Sequence, residues 1–485
     1  MGDISEDHKK KITEQEEDQI WSWNERLPPT PQLTITQVFS RQVQDSPDAP
    51  AVDAPDGTLT YAELDKHSTR LACHLRSIIS DISSDEIVPI CFDKSIWLVV
   101  CMMAVSKAGM AYTTLDPGNP TERLYACLST ITPRAMLVES KFKERFSDTE
   151  MKLVANVTEI CNAADGETNS GVELPVTLPS DLAYVCFTSG STGLPKVVQH
   201  TQSSAASNVV HGHGYAANSR VLNFASQAFA ASVVTTLKTL CNGGLLVLPP
   251  ERERMGGIAS FITRKQITRT FLTPTLLNLL SPDDVSCLQF LTVGGEAVPQ
   301  RLIDIWAPRL SLVEAIGMTE GVGIANIVDT SGKKCRARQF MTGCAWIVEQ
   351  DDTDTLAPIG ETGELLFEGP ALFQGYRNNP EANAKALITE LPAWGKKRGA
   401  ERPNTLFRTG DLAKYVEDGV VQIVGRADTR VKLHGQRFEL GEVEKSMLDV
   451  LPAGVTVAAE IVEPVNGTGP MLVAFIHGLS TNFSH

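Results

Sequence analysis

The chain has 485 residues, 42% of them apolar, enough for a large core and more than one domain. A formal net charge of −15 argues against a duplex-binding surface, and short basic runs such as Lys396-Lys397-Arg398 read as solvated loop charge, so no nucleic-acid partner is expected. Ten cysteines without a CxxC pair or zinc-ligand spacing, a charged N-terminus without an apolar signal core, and a longest apolar run too short to cross a bilayer predict reduced thiols in a cytoplasmic protein with no membrane partner.

Residues 1–30 begin charged and end in Pro28-Pro29-Thr30-Pro31, which predicts a surface helix followed by a linker. Leu33 to Arg76 carries helical periodicity, broken by the turn Asp53-Ala54-Pro55-Asp56-Gly57. The apolar run Ile96 to Val105, flanked by Lys94 and Lys107, predicts a buried helix. From about 85 to 330, short apolar runs alternate with stretches long enough for crossover helices. The runs are Ile87–Phe92, Ala135–Val138, Ala183–Phe187, Gly244–Leu248, Leu288–Val293 and Leu312–Ala315. That rhythm predicts an α/β fold, layered with largely parallel sheets. From about 343 to 427, strands such as Gly363–Phe367 between Gly and Pro turns predict a more antiparallel, β-rich subdomain. A boundary falls near Gly425-Arg426-Ala427-Asp428. Beyond it come a strand (Thr429–Leu433), a helix from Gly441 and a strand (Met471–Ile476). The expected division is an extension over 1–30, a large lobe over 31–427 and a small α+β lobe over 428–485.

The most informative segment runs from Tyr184 to Lys196. An apolar strand leads into Thr188-Ser189-Gly190-Ser191-Thr192-Gly193-Leu194-Pro195-Lys196. Glycines let backbone N–H groups turn toward an anion, hydroxyls add donors, and the lysine adds a point charge. An ordinary Gly/Ser turn requires no such ordered string. It is not a Walker A loop, because Lys196 follows Pro195 rather than a glycine and precedes Val197. The segment resembles the phosphate loop of the adenylate-forming superfamily, which includes acyl-CoA synthetases, firefly luciferase and the adenylation domains of nonribosomal peptide synthetases.

Further segments resemble that superfamily in order along nearly the whole chain. Leu59-Thr60-Tyr61-Ala62-Glu63-Leu64, and Lys107 to Tyr112 with Leu115-Asp116-Pro117, resemble two motifs concerned with packing and turns. Gly294-Gly295-Glu296 follows a predicted strand, where ligands of open α/β sheets bind, and the resemblance places it with Ala315 and Ile316 beside adenine. Ala315-Ile316-Gly317-Met318-Thr319-Glu320 resembles a Tyr-Gly-x-Thr-Glu motif whose Thr approaches the α-phosphate and whose Glu holds Mg2+; Ile316 stands where an aromatic stacks on the base, and Met318 where Pro is usual. Phe407 to Leu412 resembles the motif whose aspartate, here Asp411, binds the ribose hydroxyls, and Arg426 resembles a residue that reaches ribose or phosphate. Asp428 corresponds to the hinge of the small lobe.

The resemblance implies ATP and Mg2+ as cofactors, with Lys196, Thr319 and Glu320 as the catalytic set. It also implies a carrier (thiolation) domain supplying phosphopantetheine, and condensation domains as neighbours. The family's C-terminal Gly-Lys motif lies beyond the last residue of this chain, so slow adenylation is expected of the chain as given. Residue by residue, the acid pocket maps to Ala230, Ala231, Val234, Phe271, Leu291, Val293, Ala315, Gly323 and Ile324. Ala230 stands where an aspartate pairs with an α-ammonium, and a methyl cannot offset a buried cation. The set resembles fungal pockets for anthranilate, so a small aromatic acid is expected. Other aryl acids, α-hydroxy acids and α-keto acids stay open. Two alternatives remain for the activity itself, an aryl- or acyl-CoA ligase and a non-catalytic nucleotide-binding module.

Overall fold

The computed structural model describes residues 11–79, 81–163, 172–190, 194–211, 215–336, 342–396, 405–427, 430–433, 436–448, 450–452, 455–462 and 471–478. Three sheets build the large lobe. The first has seven strands, in the spatial order 375–376, 196–201, 182–188, 111–115, 87–91, 135–138 and 152–154. Its strands β1 (Leu182–Thr188) and β2 (Lys196–Thr201) form an antiparallel hairpin, and helix α1 (Gln202–Val210) follows at once. The Thr201 hydroxyl starts that helix by accepting from the Ser204 N–H at 3.2 Å.

The second sheet has nine strands. Helix α2 (Ala230–Cys241) packs beneath it. Its working edge holds β3 (Arg269–Leu272), β4 (Phe290–Gly294), β5 (Ser311–Met318) and β6 (Gly321–Val328); β3, β4 and β5 run parallel, and β6 turns back antiparallel. One apolar core runs from Val88, Ile90 and Tyr112 of the first sheet, through the helices Tyr61–Ile78 and Ile96–Lys107 with α1 and α2, to Val52 and Leu246 of the second. Helices therefore lie between two sheets, as the alternating pattern implied. The opposite face of the second sheet is closed by a separate core containing Leu291, Val293, Phe261 and Trp306.

The third sheet has six strands, antiparallel as expected; within it β7 (Leu406–Tyr415) pairs antiparallel with β8 (Val421–Arg426). In the small lobe, the hairpin 430–433/436–439, the helix Leu440–Leu448 and the pair 456–462/471–477 match the expected order. Among the described residues no helix is long and apolar enough to cross a membrane, and the run Ile96–Val105 forms the buried helix Ile96–Lys107.

Two expectations need correction. The turn at Asp53–Gly57 does not interrupt a helix: it joins two antiparallel strands, Pro50–Ala54 and Gly57–Thr60, at the edge of the second sheet. Helical periodicity before and after it was real, since Ile35–Asp45 and Tyr61–Ile78 are helices. The second of these starts with a capping box, Thr60 and Glu63 each accepting from the other's N–H, which is what Leu59–Leu64 encodes.

The N-terminal segment is also not a surface appendage. Helix Glu14–Trp23 buries Ile20, Trp21 and Trp23 in the β-rich core, with Trp21 4.8 Å from Trp346 and 6.1 Å from Trp394. Asn24 finishes the dock: its Nδ2 donates to the Tyr415 hydroxyl at 3.2 Å and its Oδ1 accepts from the Ala345 N–H at 3.1 Å. Its charged residues mask an apolar face supplied largely by indole rings.

Candidate functional site

The β1–β2 hairpin opens on the loop singled out in the sequence. Thr188 and Lys196 face each other at its mouth. Ser189 and Gly190 extend from β1, and Ser191, Thr192 and Gly193 lie outside the described residues. At Gly190 a Cβ would stand 2.1 Å from the Leu194 carbonyl oxygen, so the loop's narrow neck excludes any side chain there.

Three contacts tie this hairpin to the end of β5. The Lys196 ammonium sits 5.9 Å above the Tyr376 ring, and the Tyr376 hydroxyl donates to Glu320 Oε1 at 2.8 Å. His200 of β2 bonds the Thr319 carbonyl through Nε2 at 2.8 Å. A carbonyl only accepts, so Nε2 carries the proton. Burial pushes the His200 pKa down to about 4 against the opposing pull of that hydrogen bond, and the ring is therefore neutral near pH 7. It stacks on Tyr184 at 4.7 Å. Lys196, distant in sequence from the adjacent Thr319 and Glu320, is thus linked to them through Tyr376 and His200, with Glu320 almost fully buried.

The loop after β4 closes over the same end of the sheet. A Cβ at Gly294 would meet the Ala315 carbonyl oxygen at 2.5 Å, and Gly295 has φ +86°, so both positions require glycine. Glu296 accepts from the Thr275 N–H at 3.1 Å and from its hydroxyl at 2.8 Å, which anchors the loop to the short helix Pro274–Leu277. Ile316 is half-buried and packs with Met318 against the β-rich core that includes Ala413 and Ile423.

Asp411 and Arg426 are partners across β7 and β8. The Arg426 guanidinium pairs with the Asp411 carboxylate and donates to the Thr409 carbonyl at 3.2 Å, while the Asp411 N–H donates to the Thr409 hydroxyl at 3.0 Å. On the same strand Phe407 packs on Phe373 at 5.1 Å, and the Phe373 N–H donates to the Glu320 carbonyl at 2.8 Å. The pair and the Glu320 cluster therefore belong to one connected framework. The expected hinge, Asp428, lies outside the described residues.

Between the two sheets lies a cavity of ≈1710 Å³. Thr188, Ser189 and Thr319 stand at one end of its wall, and Ala230, Ala231, Val234, Phe271, Ala315 and Ile324 line it as expected. Gly323 lies on β6. Leu291 and Val293 do not line it. Both are fully buried in the core on the far side of the sheet. Side chains alternate along a strand, so Phe290 and Thr292 face the cavity instead. The register makes this unavoidable: Phe271 pairs with Thr292, and paired residues share a face. Also missed were Tyr215, Lys238 and Arg269 on the cavity wall. Lys238 had a signal in the sequence, since it follows Ala230 and Val234 at helical spacing.

Residues 39–377 match the family described as AMP-binding enzyme. The chain belongs to that family. The AMP-binding chain is 38% identical over 484 residues to nonribosomal peptide synthetase sidD of Aspergillus fumigatus, covering 96% of itself and 23% of that protein. It is 36% identical over 455 residues to N-benzoylphenylalaninol synthetase apmA of Penicillium brevicompactum, covering 92% of itself and 19% of that protein. The chain thus spans less than a quarter of the length of either synthetase. In fold it is similar to an artificially fused adenylation–PCP di-domain, NpsA-ThdA, from Klebsiella oxytoca, with TM-score 0.79 at 23% identity, covering 93% of this chain and 89% of that one. In sequence the chain is thus similar to part of nonribosomal peptide synthetases, and in fold to an adenylation–PCP di-domain.

Mg2+ suits the donors of this cluster. Glu320 offers one carboxylate, oriented by Tyr376, and among the described residues no group of three His, Cys, Asp or Glu side chains could cage a metal. An ion that enters on ATP phosphates and takes a single protein carboxylate is the mode Mg2+ favours.

Proposed function

We propose that this chain activates a carboxylic acid with ATP. The acid's carboxylate oxygen attacks the α-phosphorus, the bond to the β-phosphate oxygen breaks, and acyl-adenylate and pyrophosphate leave the reaction. The observation that carries this reading is the linkage of Lys196, Thr319 and Glu320 beside a large cavity whose wall includes Thr188, Ser189 and Thr319. In this reading the 188–196 loop and Lys196 hold the phosphates, Thr319 meets the α-phosphate, and Glu320 would hold Mg2+, which supplies charge neutralisation on the phosphate oxygens. Gly294, Gly295, Ala315 and Ile316 border the adenine. Asp411 takes the ribose, with Arg426 fixing its carboxylate. Catalysis is then positioning and electrostatic stabilisation, with no covalent enzyme intermediate. The acyl group passes next to the phosphopantetheine thiol of a carrier domain, releasing AMP, within a cytoplasmic synthetase that also holds condensation domains.

For the acid, an aryl acid with anthranilate as the leading candidate fits the wall. Phe271, Phe290 and Tyr215 supply rings, and Ala230 removes the partner that an α-ammonium needs. A relative whose name carries a benzoyl group supports the same class. The test is ATP–pyrophosphate exchange with anthranilate, benzoate, salicylate and phenylalanine side by side, followed by transfer to a carrier protein or to free CoA. An aryl acid ahead of phenylalanine, with transfer to the carrier, is expected. Exchange with none of them, despite ATP binding, would leave a binding module, and transfer to CoA alone would make the chain an acyl-CoA ligase.

A further inference from the structure

The deep end of the cavity carries two cations that nothing in the adenylation chemistry uses. Arg269, at the start of β3, is 5% exposed and lines the cavity. Its guanidinium lies 3.5 Å from the Phe290 ring centre and 4.6 Å from that of Tyr215. Aromatic contact covers guanidinium faces and leaves the N–H donors in the plane free. Lys238, on the cavity face of α2, is its neighbour: burial first, then the Arg269 charge, push the Lys238 ammonium down to about 8. Among the described residues neither cation forms a salt bridge or a side-chain hydrogen bond to a carboxylate; the Arg269 charge bears on Lys238, and the Tyr215 phenol that lies against Arg269 is kept protonated by burial.

Two independent elements bring these charges to the same depth. Along β3 the cavity-facing residues are Arg269 and Phe271, followed by Thr273 at the nucleotide end. At about 3.3 Å per residue, Arg269 lies about 13 Å below Thr273. Along α2 the cavity face reads Ala230, Val234, Lys238, and at about 1.5 Å per residue Lys238 lies about 12 Å below Ala230. Desolvating two like charges side by side without a counter-ion is unfavourable. An anionic occupant turns that penalty into a charge-assisted pair, and a guanidinium fork with an adjacent ammonium suits a carboxylate.

We propose that the acid activated here is a dicarboxylate, whose second carboxylate sits at the bottom of the cavity between Arg269 and Lys238. This rests on the acid-activating reading above and narrows its substrate class, placing anthranilate below an acid with a second anionic group on its far side. Phe271 and Thr292 flank the span between the two carboxylates.

The test is isothermal titration of the full chain, with pyrophosphate exchange in parallel. The probes are terephthalate against benzoate, and glutarate, adipate and suberate each against the monocarboxylate of equal length. At least one dicarboxylate is expected to bind tenfold or more tightly than its partner acid. Arg269→Gln and Lys238→Met should each reduce that ratio at least tenfold, and Lys238→Arg should keep it, which a merely structural role would not do. Equal or tighter binding of every monocarboxylate by the native chain overturns the proposal and leaves acid activation standing. So does a ratio indifferent to both charge-removing variants. If no acid of either kind binds or drives exchange, the acid-activating reading falls and this proposal with it.

Discussion

Glu320 shows how closely a single buried carboxylate can be held. Tyr376 takes Oε1 and the chain around it is buried, so the carboxylate has one orientation. Glu320→Gln preserves the contact with Tyr376 and removes the charge. Pyrophosphate exchange should fall about 100- to 1000-fold, the range seen when a group that stabilises transition-state charge is lost, with an unfolding midpoint close to the native one. His200 gives a second prediction through pH. Its folded pKa is about 4, while an unfolded histidine titrates near 6.5, so between those values the unfolded chain binds more protons. The stability it contributes is complete above about pH 6.5 and is lost as pH falls toward 4, by up to about 3 kcal/mol. Urea unfolding at pH 7.5 and 5.0 should show a smaller drop for His200→Gln, whose amide can still donate to the Thr319 carbonyl but does not titrate.

At the scale of elements, β4 separates folding from specificity within five residues. Leu291 and Val293 fill the outer core, and Thr292 between them faces the cavity. Leu291→Ala should cost about 2–5 kcal/mol of stability through lost burial and the cavity left behind, with the order of preferred acids unchanged. Thr292→Val should reorder the acids while shifting the unfolding midpoint little. Denaturant melts and exchange rates on both variants check this. The strand itself was legible in the run Leu288–Val293, but the face each residue takes was not. A one-residue slip inverts every side chain, and an all-apolar run carries no alternation to set the phase. Tyr215, Arg269 and Phe290 escaped for a related reason, because their juxtaposition depends on strand register and loop path.

At the scale of the whole molecule, the N-terminal helix is a wall of the β-rich subdomain that carries Asp411 and Arg426. Trp21 packs on Trp346 and Trp394, and Trp23 on Tyr415 at 5.2 Å. Trp21→Ala should destabilise that region by about 3–5 kcal/mol, read as a lowered midpoint in thermal or urea unfolding. A detachable extension would show no change.

By itself the sequence determined the α/β alternation and the later antiparallel region, and it singled out the 188–196 loop with Lys196, Thr319, Glu320, Asp411 and Arg426 as candidates. These are local signals: runs of apolar residues, glycines that a tight loop demands, and short strings with charge at fixed offsets. Only the tertiary structure decided that Asp411 and Arg426 are a pair, that Tyr376 and His200 link the loop to Glu320, that Leu291 and Val293 face away from the cavity, and that two cations meet at its floor. Each of those depends on which strands lie side by side and in what register, and no window of consecutive residues encodes that.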